Sequence, residues 1–295
     1  MPLDFFISYE AQLRFGLFLA AFSTLTVWEI VAPRRALLMP KARRWLANLG
    51  ILIVNTVAVR AIAPAAAVGI ALFAERRGIG LLHGLDLPLP VEILLAVLAL
   101  DLAIYLQHVM FHAVPLLWRL HRVHHADLDF DVTTGTRFHP IEILLSLAIK
   151  AAAIFLIGAS VFAVLIFEIA LNLTAMFNHS NIRIPKAADA VLRLFVVTPD
   201  MHRVHHSIYS DETNRNFGFN FPWWDRVFGT YRDQPRAGHE QMVIGIPSFR
   251  DPRRCITLPG LLAMPFVAER GEGGRPKHHD HEIEATRYEQ DAIHS

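Results

Sequence analysis

The sequence contains very little cysteine and little charge. Its single cysteine, Cys255, excludes an intramolecular disulfide and fits a reducing, cytoplasmic setting, where such a residue usually serves as a small buried apolar group. Charged residues make up 19% of the 295 residues, whereas a soluble domain carries about 25%. The net charge of +1 says little about partners. No extended basic patch interleaved with aromatic residues is present, so we expect no nucleic-acid partner.

Apolar residues make up 53% of the chain and are concentrated in four blocks. A membrane-spanning helix needs about 20 mostly apolar residues, and each block is long enough for at least one crossing. The N-terminus lacks the basic lead and the small-residue cleavage site of a signal peptide. We therefore expect an all-α integral membrane protein with about four transmembrane helices, in preference to a soluble helical protein with very apolar core helices. The blocks are residues 12–33, 46–74, 90–109 and 141–173, the last broken near Gly158 and able to form a hairpin.

Histidine is abundant in the middle of the chain, where ten of the sixteen histidines lie between residues 108 and 206. Three tight clusters have helical spacing, one H-x-x-x-H pair and two H-x-x-H-H triplets. Residues three and four apart share a helix face, so each cluster projects its imidazoles in one direction. Neutral imidazole is the commonest protein metal ligand. The predicted ligands are His108 and His112, then His121, His124 and His125, then His202, His205 and His206.

Local signals indicate where the helices that carry the second and third clusters begin. Pro115 suits the first turn of the helix before His121. Before the third cluster, Thr198 is predicted to be an N-cap, Pro199 the first helical residue, and Asp200 a complement to the positive helix end. These helix starts fix the phase of the turns that follow and so aim the imidazoles.

Two isolated histidines are further candidates. His179 follows the last apolar block and is predicted to complete the ligand set, with Asn181 assisting through water or a hydrogen bond to a ligand. His139 precedes Pro140 and Glu142 and is either a further ligand or a structural residue that bonds to this carboxylate.

Eight or nine imidazoles exceed what a single ion binds, because zinc normally takes four ligands and iron or manganese six. Two ions with open coordination positions fit the count, and the lack of cysteine excludes thiolate sites for soft metals. Two irons could bind O2 and attack an unactivated C–H bond of a substrate held by membrane helices. A metal transporter or sensor is the alternative, although ligands of a permeation path should lie within the membrane spans, and most of these histidines do not.

The stretch from about residue 101 to 231 resembles the fatty acid hydroxylase superfamily, also called the sterol desaturase family, of integral membrane non-haem di-iron enzymes. Order and spacing match throughout. The chain departs from the pattern at Ala175, four residues before His179, because some lipid hydroxylases carry a further histidine at this place. The second metal would therefore have fewer histidine ligands and an extra water. The matching motifs are His108-x3-His112, Leu-Trp-Arg-Leu-His121-Arg-Val-His124-His125, Arg137-Phe-His139-Pro-Ile-Glu142, Phe-Asn-His179-Ser-Asn181, Thr-Pro-Asp-Met-His202-Arg-Val-His205-His206, Asn216-Phe-Gly and Trp224-Asp225-Arg-Val-Phe228-Gly229-Thr.

This resemblance implies two iron ions with O2 as co-substrate and hydroxylation or desaturation of a lipid, such as a fatty acyl, sterol or alkylglycerol-like substrate. It also implies a separate electron donor, a ferredoxin or cytochrome b5-like protein with its reductase, because no such pattern is visible in this chain. Asn216 and Asp225 are expected to orient a ligand imidazole through its remaining N–H. Asp225 could equally pair with Arg226 or cap a turn.

The expected organisation has transmembrane helices in residues 1–107 and a hydroxylase domain in residues 108–235, with a membrane hairpin at about 141–178. An interfacial segment, 236–268, and a disordered tail, 269–295, follow. The first loop, between the first and second apolar blocks, carries five basic residues, and the second loop, between the second and third blocks, carries only two. Because positive residues favour the cytoplasmic side, the first loop is expected in the cytoplasm. All the clusters then lie on the cytoplasmic side, in what we expect to be a bacterial inner membrane. The basic residues are Arg34, Arg35, Lys41, Arg43 and Arg44, then Arg76 and Arg77.

Overall fold

The structure is a computed structural model that describes residues 2–63 and 66–269. Within these ranges the chain forms α-helices and short 3₁₀ turns with no strand, which confirms the all-α expectation. The predicted tail falls on residues 270–295, outside the described residues, apart from Glu269. The helices are α1 Pro2–Val31, α2 Lys41–Ile62, α3 Ala66–Arg77, α4 Leu89–Ala113, α5 Pro115–His125, α6 Pro140–Ile157, α7 Val161–Asn178, α8 Lys186–Leu192, α9 Pro199–His205, α10 Ser210–Thr213, α11 Trp223–Val227, α12 Gly238–Gln241, α13 Pro252–Cys255 and α14 Leu258–Ala263.

Five apolar segments among the described residues are long enough to cross a membrane. The fourth sequence block supplies two of them, because it divides at Gly158. This glycine has φ 72, a left-handed conformation that other residues adopt only with strain, and it ends α6 so that α7 can run back. The five segments are Tyr9–Val31, Lys41–Gly84 (from α2 through α3), Leu89–Ala113, Pro140–Ile157 and Val161–Asn178.

The turn between α6 and α7 is held by carboxylates from neighbouring helices. Glu92 of α4 accepts a hydrogen bond from the backbone N–H of Ser160 at 3.1 Å, and Glu75 of α3 accepts one from that of Val161 at 3.0 Å. The Ser160 side chain caps α7. Because the first N–H groups of a helix have no partner within it, these acceptors satisfy them and fix one end of the apolar bundle.

The histidines lie at the opposite end, where α4 and α7 finish. α5 turns back from α4 and begins at Pro115, as predicted. Segment 236–268 packs here on α2 and α5, and its Phe249 and Leu261 share a buried core with Val123 and Leu128. This packing buries one face of α5, the helix that carries the second cluster.

Candidate metal centre

The fold brings the three clusters and His179 together from α4, α5, the end of α7 and α9. Their ring nitrogens form two groups, and within each group one nitrogen from every residue lies within 4.8 Å of the others. His139 belongs to neither group. The five-histidine group is His108, His112, His121, His125 and His205, and the four-histidine group is His124, His179, His202 and His206.

In the five-histidine group the Nε2 atoms converge. His108 Nε2 lies 2.9 Å from that of His205 and 3.1 Å from that of His121. His125 Nε2 lies 3.1 Å from that of His112 and 3.2 Å from that of His121. The i, i+4 spacing on α4 and on α5 places both members of each pair at the same centre.

The opposite ring nitrogens in this group are fixed by acceptors. His108 Nδ1–H donates to Phe217 O at 2.8 Å, and His205 Nδ1–H donates to Arg215 O at 2.7 Å. His121 Nδ1–H donates to Glu142 Oε1 at 2.6 Å. A neutral imidazole has one N–H, so these three Nε2 atoms carry lone pairs that face one another without a proton between them. Three converging nitrogen lone pairs of this kind are suited to binding a metal cation.

The four-histidine group is completely buried. His179 Nε2 lies 3.0 Å from His202 Nε2 and 3.1 Å from His124 Nε2, while its Nδ1–H donates to Ala175 O at 2.7 Å. Neither ring nitrogen of His206 has a hydrogen-bond partner among the described residues. Buried, unpartnered nitrogen is costly, and a bound metal would remove that cost.

The two groups are direct neighbours. Consecutive residues of α5 serve different groups, and the rings of His124 and His125 have centroids 5.3 Å apart. The rings of His125 and His206 stack across the two groups at 4.6 Å. This proximity suits a pair of adjacent ions better than two independent sites.

Burial keeps the imidazoles neutral. Desolvation lowers the pKa of His121 and of His179 to about 3. It also holds the pKa of His124, His202 and His205 well below the ordinary histidine value. These side chains are therefore in the neutral form that binds metals at neutral pH.

A buried ion-pair network supports the loop after α5. Arg44 of α2 binds Asp127 through two hydrogen bonds of 2.8 and 2.9 Å and Asp131 through one of 2.7 Å, with all three side chains inaccessible. Burial acts to raise the pKa of Asp127, but Arg44 and Arg137 outweigh it and hold that pKa below its usual range. We missed this network from the sequence, although an arginine in an apolar helix and three alternating aspartates after the second cluster were its signal.

Asp225 and Asn216 act on the histidines through the backbone. Asp225 accepts hydrogen bonds from the backbone N–H groups of Phe217 and Gly218 at 2.8 Å each. The carbonyl of the same Phe217 accepts the hydrogen bond from His108 Nδ1–H. Asn216 has φ 53, and its amide donates to the carbonyls of Met201 and Arg232 at 2.8 Å. Asn216 directly follows Arg215, whose carbonyl accepts the hydrogen bond from His205 Nδ1–H. Neither side chain forms a hydrogen bond with an imidazole of the described residues.

The remaining candidates lie outside the two groups. His139 is the N-cap of α6, where its Nδ1 accepts from the Ile141 N–H and its Nε2–H donates to Leu262 O, both at 3.2 Å. Both of its nitrogens are thus engaged, and Glu142 contacts His121 instead. Asn181 exchanges two hydrogen bonds with the backbone of Arg35 and joins the end of α7 to the loop after α1.

A cleft of about 210 Å³ opens beside His112. His112 is the least buried member of the two groups, so the cleft provides the five-histidine group with an opening. Its lining combines apolar and polar side chains, among them Trp118, Ile246, Ser210, Asn214 and Ser248.

The motifs that carry the histidines match a known family. The family model described as fatty acid hydroxylase aligns with residues 93–230. This stretch is a fatty acid hydroxylase domain. The resemblance expected from the sequence is thereby confirmed, and the fatty acid hydroxylase domain contains all nine grouped histidines.

Relatives of the domain come from bacteria and animals. Over 182 residues the chain is 30% identical to the ornithine lipid hydroxylase OlsE of Rhizobium tropici, covering 62% of this chain and 50% of that one. Over 151 residues it is 30% identical to human alkylglycerol monooxygenase, covering 51% and 32%. Human cholesterol 25-hydroxylase is 28% identical over 143 residues, covering 48% and 51%. The chain thus spans half or less of the length of the first two relatives. No solved structure matches it.

Proposed function

We propose that this protein is a membrane di-iron oxygenase that uses O2 and external electrons to hydroxylate or desaturate a lipid. The observation that carries this proposal is the convergence of nine neutral imidazoles into two adjacent groups within a fatty acid hydroxylase domain. The names of the relatives, which act on an ornithine lipid, alkylglycerol and cholesterol, support a lipid substrate. They give no support to the metal transporter or sensor.

The two groups would each hold one iron ion. When bound, an iron pair supplies the redox chemistry that activates O2 towards a C–H bond. The protein's own residues supply orientation: Glu142 and the carbonyls of Arg215 and Phe217 fix which nitrogen of each imidazole faces the metal. Burial of the four-histidine group excludes bulk water from that side.

Substrate access is proposed through the cleft beside His112. Its serine and asparagine side chains suit the polar part of a lipid, and Trp118 and Ile246 suit its apolar part. Hydroxylation of one C–H bond consumes one O2, two electrons and two protons and yields an alcohol and water. We propose a separate electron-transfer protein, ferredoxin or cytochrome b5-like with its reductase, as the source of the electrons.

We further propose that the five apolar segments lie in a bacterial inner membrane with the histidines on the cytoplasmic side. The basic first loop supports this orientation, because positive residues favour the cytoplasmic face. Arg34 and Arg35 of that loop are close to the histidine end, where Arg34 pairs with Asp200 of α9 at 3.1 Å. The loop and the metal centre would therefore share one side of the membrane.

The test is a lipid comparison of cells with and without the protein, grown under heavy-isotope O2. One lipid class should gain labelled oxygen, or an alkene, only when the protein is present. His205→Ala should abolish this product, whereas His139→Asn, which keeps an N-cap acceptor and lies outside both groups, should retain it. Full product formation by His205→Ala would refute the mechanism. Metal accumulation that depends on the protein, without O2-dependent product, would instead favour transport.

A further inference from the structure

The loop from Phe217 to Pro222, together with the start of α11, enters the bundle of apolar helices between α4 and α7. Phe219 packs against the buried core formed by Leu100 and Ile104 of α4 and Phe167 of α7. The Asn220 side chain bonds to Asp101 of α4 and to Thr174 of α7. This loop follows α9 in the chain, yet it lies among the helices that are long enough to cross a membrane.

Asp101 satisfies the polar groups of this loop. Its carboxylate accepts hydrogen bonds from the Asn220 side chain at 2.8 Å, from the Trp224 indole at 2.9 Å and from the backbone N–H groups of Asn220 and Phe221 at 3.3 and 3.4 Å. Irregular backbone is tolerated at membrane depth only where protein groups satisfy its donors. An aspartate in an apolar helix is costly without such partners, so the two features explain each other.

The position of Asp101 along α4 gives the depth of the loop. At 1.5 Å per residue, Asp101 lies about 14 Å along the helix from Glu92, which binds the α6–α7 turn, and about 18 Å from Ala113 at the other end of α4. A hydrocarbon core is about 30 Å thick. The contact is therefore well inside the length of α4 that would cross it.

The outer face of this region is apolar and exposed. The 194–228 patch, as we name it, consists of Leu194, Phe195, Trp223, Val227 and Phe228, which are 50, 62, 37, 70 and 52% exposed. Its two parts are joined by a hydrogen bond of 2.6 Å from the Trp223 indole to Leu194 O. The patch continues onto α4, because Phe228 stacks on Tyr105 with centroids 5.3 Å apart. The next residue of α4, Leu106, is itself 51% exposed.

We infer that residues 217–228 form a re-entrant membrane element and that the 194–228 patch contacts lipid acyl chains. The element is too short to be found as a span, since α11 has five residues. The bilayer is what covers the patch, because the patch is continuous with the exposed apolar face of α4. That helix has the length and composition of a membrane span. Residues 217–228 would then be inserted into the membrane beside α4 rather than resting above it.

Spin labels in lipid nanodiscs test this inference on the full-length protein. Val227→Cys and Phe195→Cys place the label on the patch, Leu95→Cys places it on α4, and Asp233→Cys is an exposed polar control a few residues after the patch. Cys255 can stay, because it is buried and desolvation raises the pKa of its thiol to about 11. Collision rates with O2, which concentrates in lipid, are compared with those of a water-soluble nickel chelate.

At positions 227 and 195 we expect the O2-to-nickel ratio to match that at position 95 and to exceed that at position 233 several-fold. The inference would be overturned if the O2-to-nickel ratio at positions 227 and 195 equalled that at position 233 while the ratio at position 95 showed a lipid environment. Low access to both reagents together with dipolar broadening would do the same, because it would indicate a second copy on the patch. An O2-to-nickel ratio at position 95 as low as that at position 233 would also overturn the inference, because α4 would then lie outside the membrane. Lipid oxygenation would still be tested separately by isotope incorporation.

Discussion

The hydrogen bond between Glu142 and His121 offers a sharp test of how the metal centre is oriented. The carboxylate and the imidazole meet at 2.6 Å, and each residue is only 4% exposed. Water cannot readily replace a lost partner there, so Glu142→Ala should leave the His121 ring free to turn. Loss of a partner of this kind typically reduces metal affinity about 10- to 100-fold, which corresponds to about 1.4 to 2.8 kcal/mol.

Glu142→Gln separates charge from geometry. The amide oxygen can still accept the Nδ1–H, so the tautomer is retained and only the ionisable carboxyl group is lost. We expect the loss of affinity to be near the lower end of the range for Gln and near the upper end for Ala.

The assay is competition for Fe2+ between the purified protein and a chelator under anaerobic conditions, with unfolding temperature measured in parallel. Glu168→Gln is the matched control, because Glu168 is a buried carboxylate of α7 that binds Lys150 and Arg14 and has no contact with the histidine groups. It should reduce stability without changing iron affinity. Wild-type iron affinity in Glu142→Ala would contradict the reasoning.

Three further predictions concern the surroundings of the centre. A Cβ at Gly135 would lie 2.5 Å from the carbonyl that receives His179, so Gly135→Ala should cost about 1–3 kcal/mol of stability and reduce bound iron from two ions towards one. Unchanged iron content would count against it. Arg44→Met removes the guanidinium that pairs with two buried carboxylates and should destabilise the protein by about 3–5 kcal/mol, measured by denaturant unfolding in detergent; a change below 1 kcal/mol would be inconsistent with the network. Ser248→Trp narrows the cleft and should raise KM for the lipid with iron content intact, whereas an unaltered KM would place substrate entry elsewhere.

The parts of the site that the sequence predicts are those governed by local geometry. Helical spacing aims the histidines of each cluster, and Thr198 caps α9 by accepting the Met201 N–H at 3.3 Å, as its position indicated. The helix start at Pro115 follows from the same local rules. Such features need only a few neighbouring residues and are therefore readable without a structure.

The parts that the sequence did not predict depend on contacts between distant segments. The carbonyls of Arg215 and Phe217 orient two histidines, yet every residue has a carbonyl and no pattern marks these two. His139 lies in one of the matching family motifs, but in the fold it caps α6. Asp101 gave no clear signal either, because its partners lie more than a hundred residues away.

The most direct test of the account is an anomalous difference map at the iron edge, from crystals of protein reconstituted with Fe2+. We predict two neighbouring peaks, one within the five-histidine group and one within the four-histidine group. A single peak, or iron bound away from both groups when the protein is saturated with metal, would contradict the central claim.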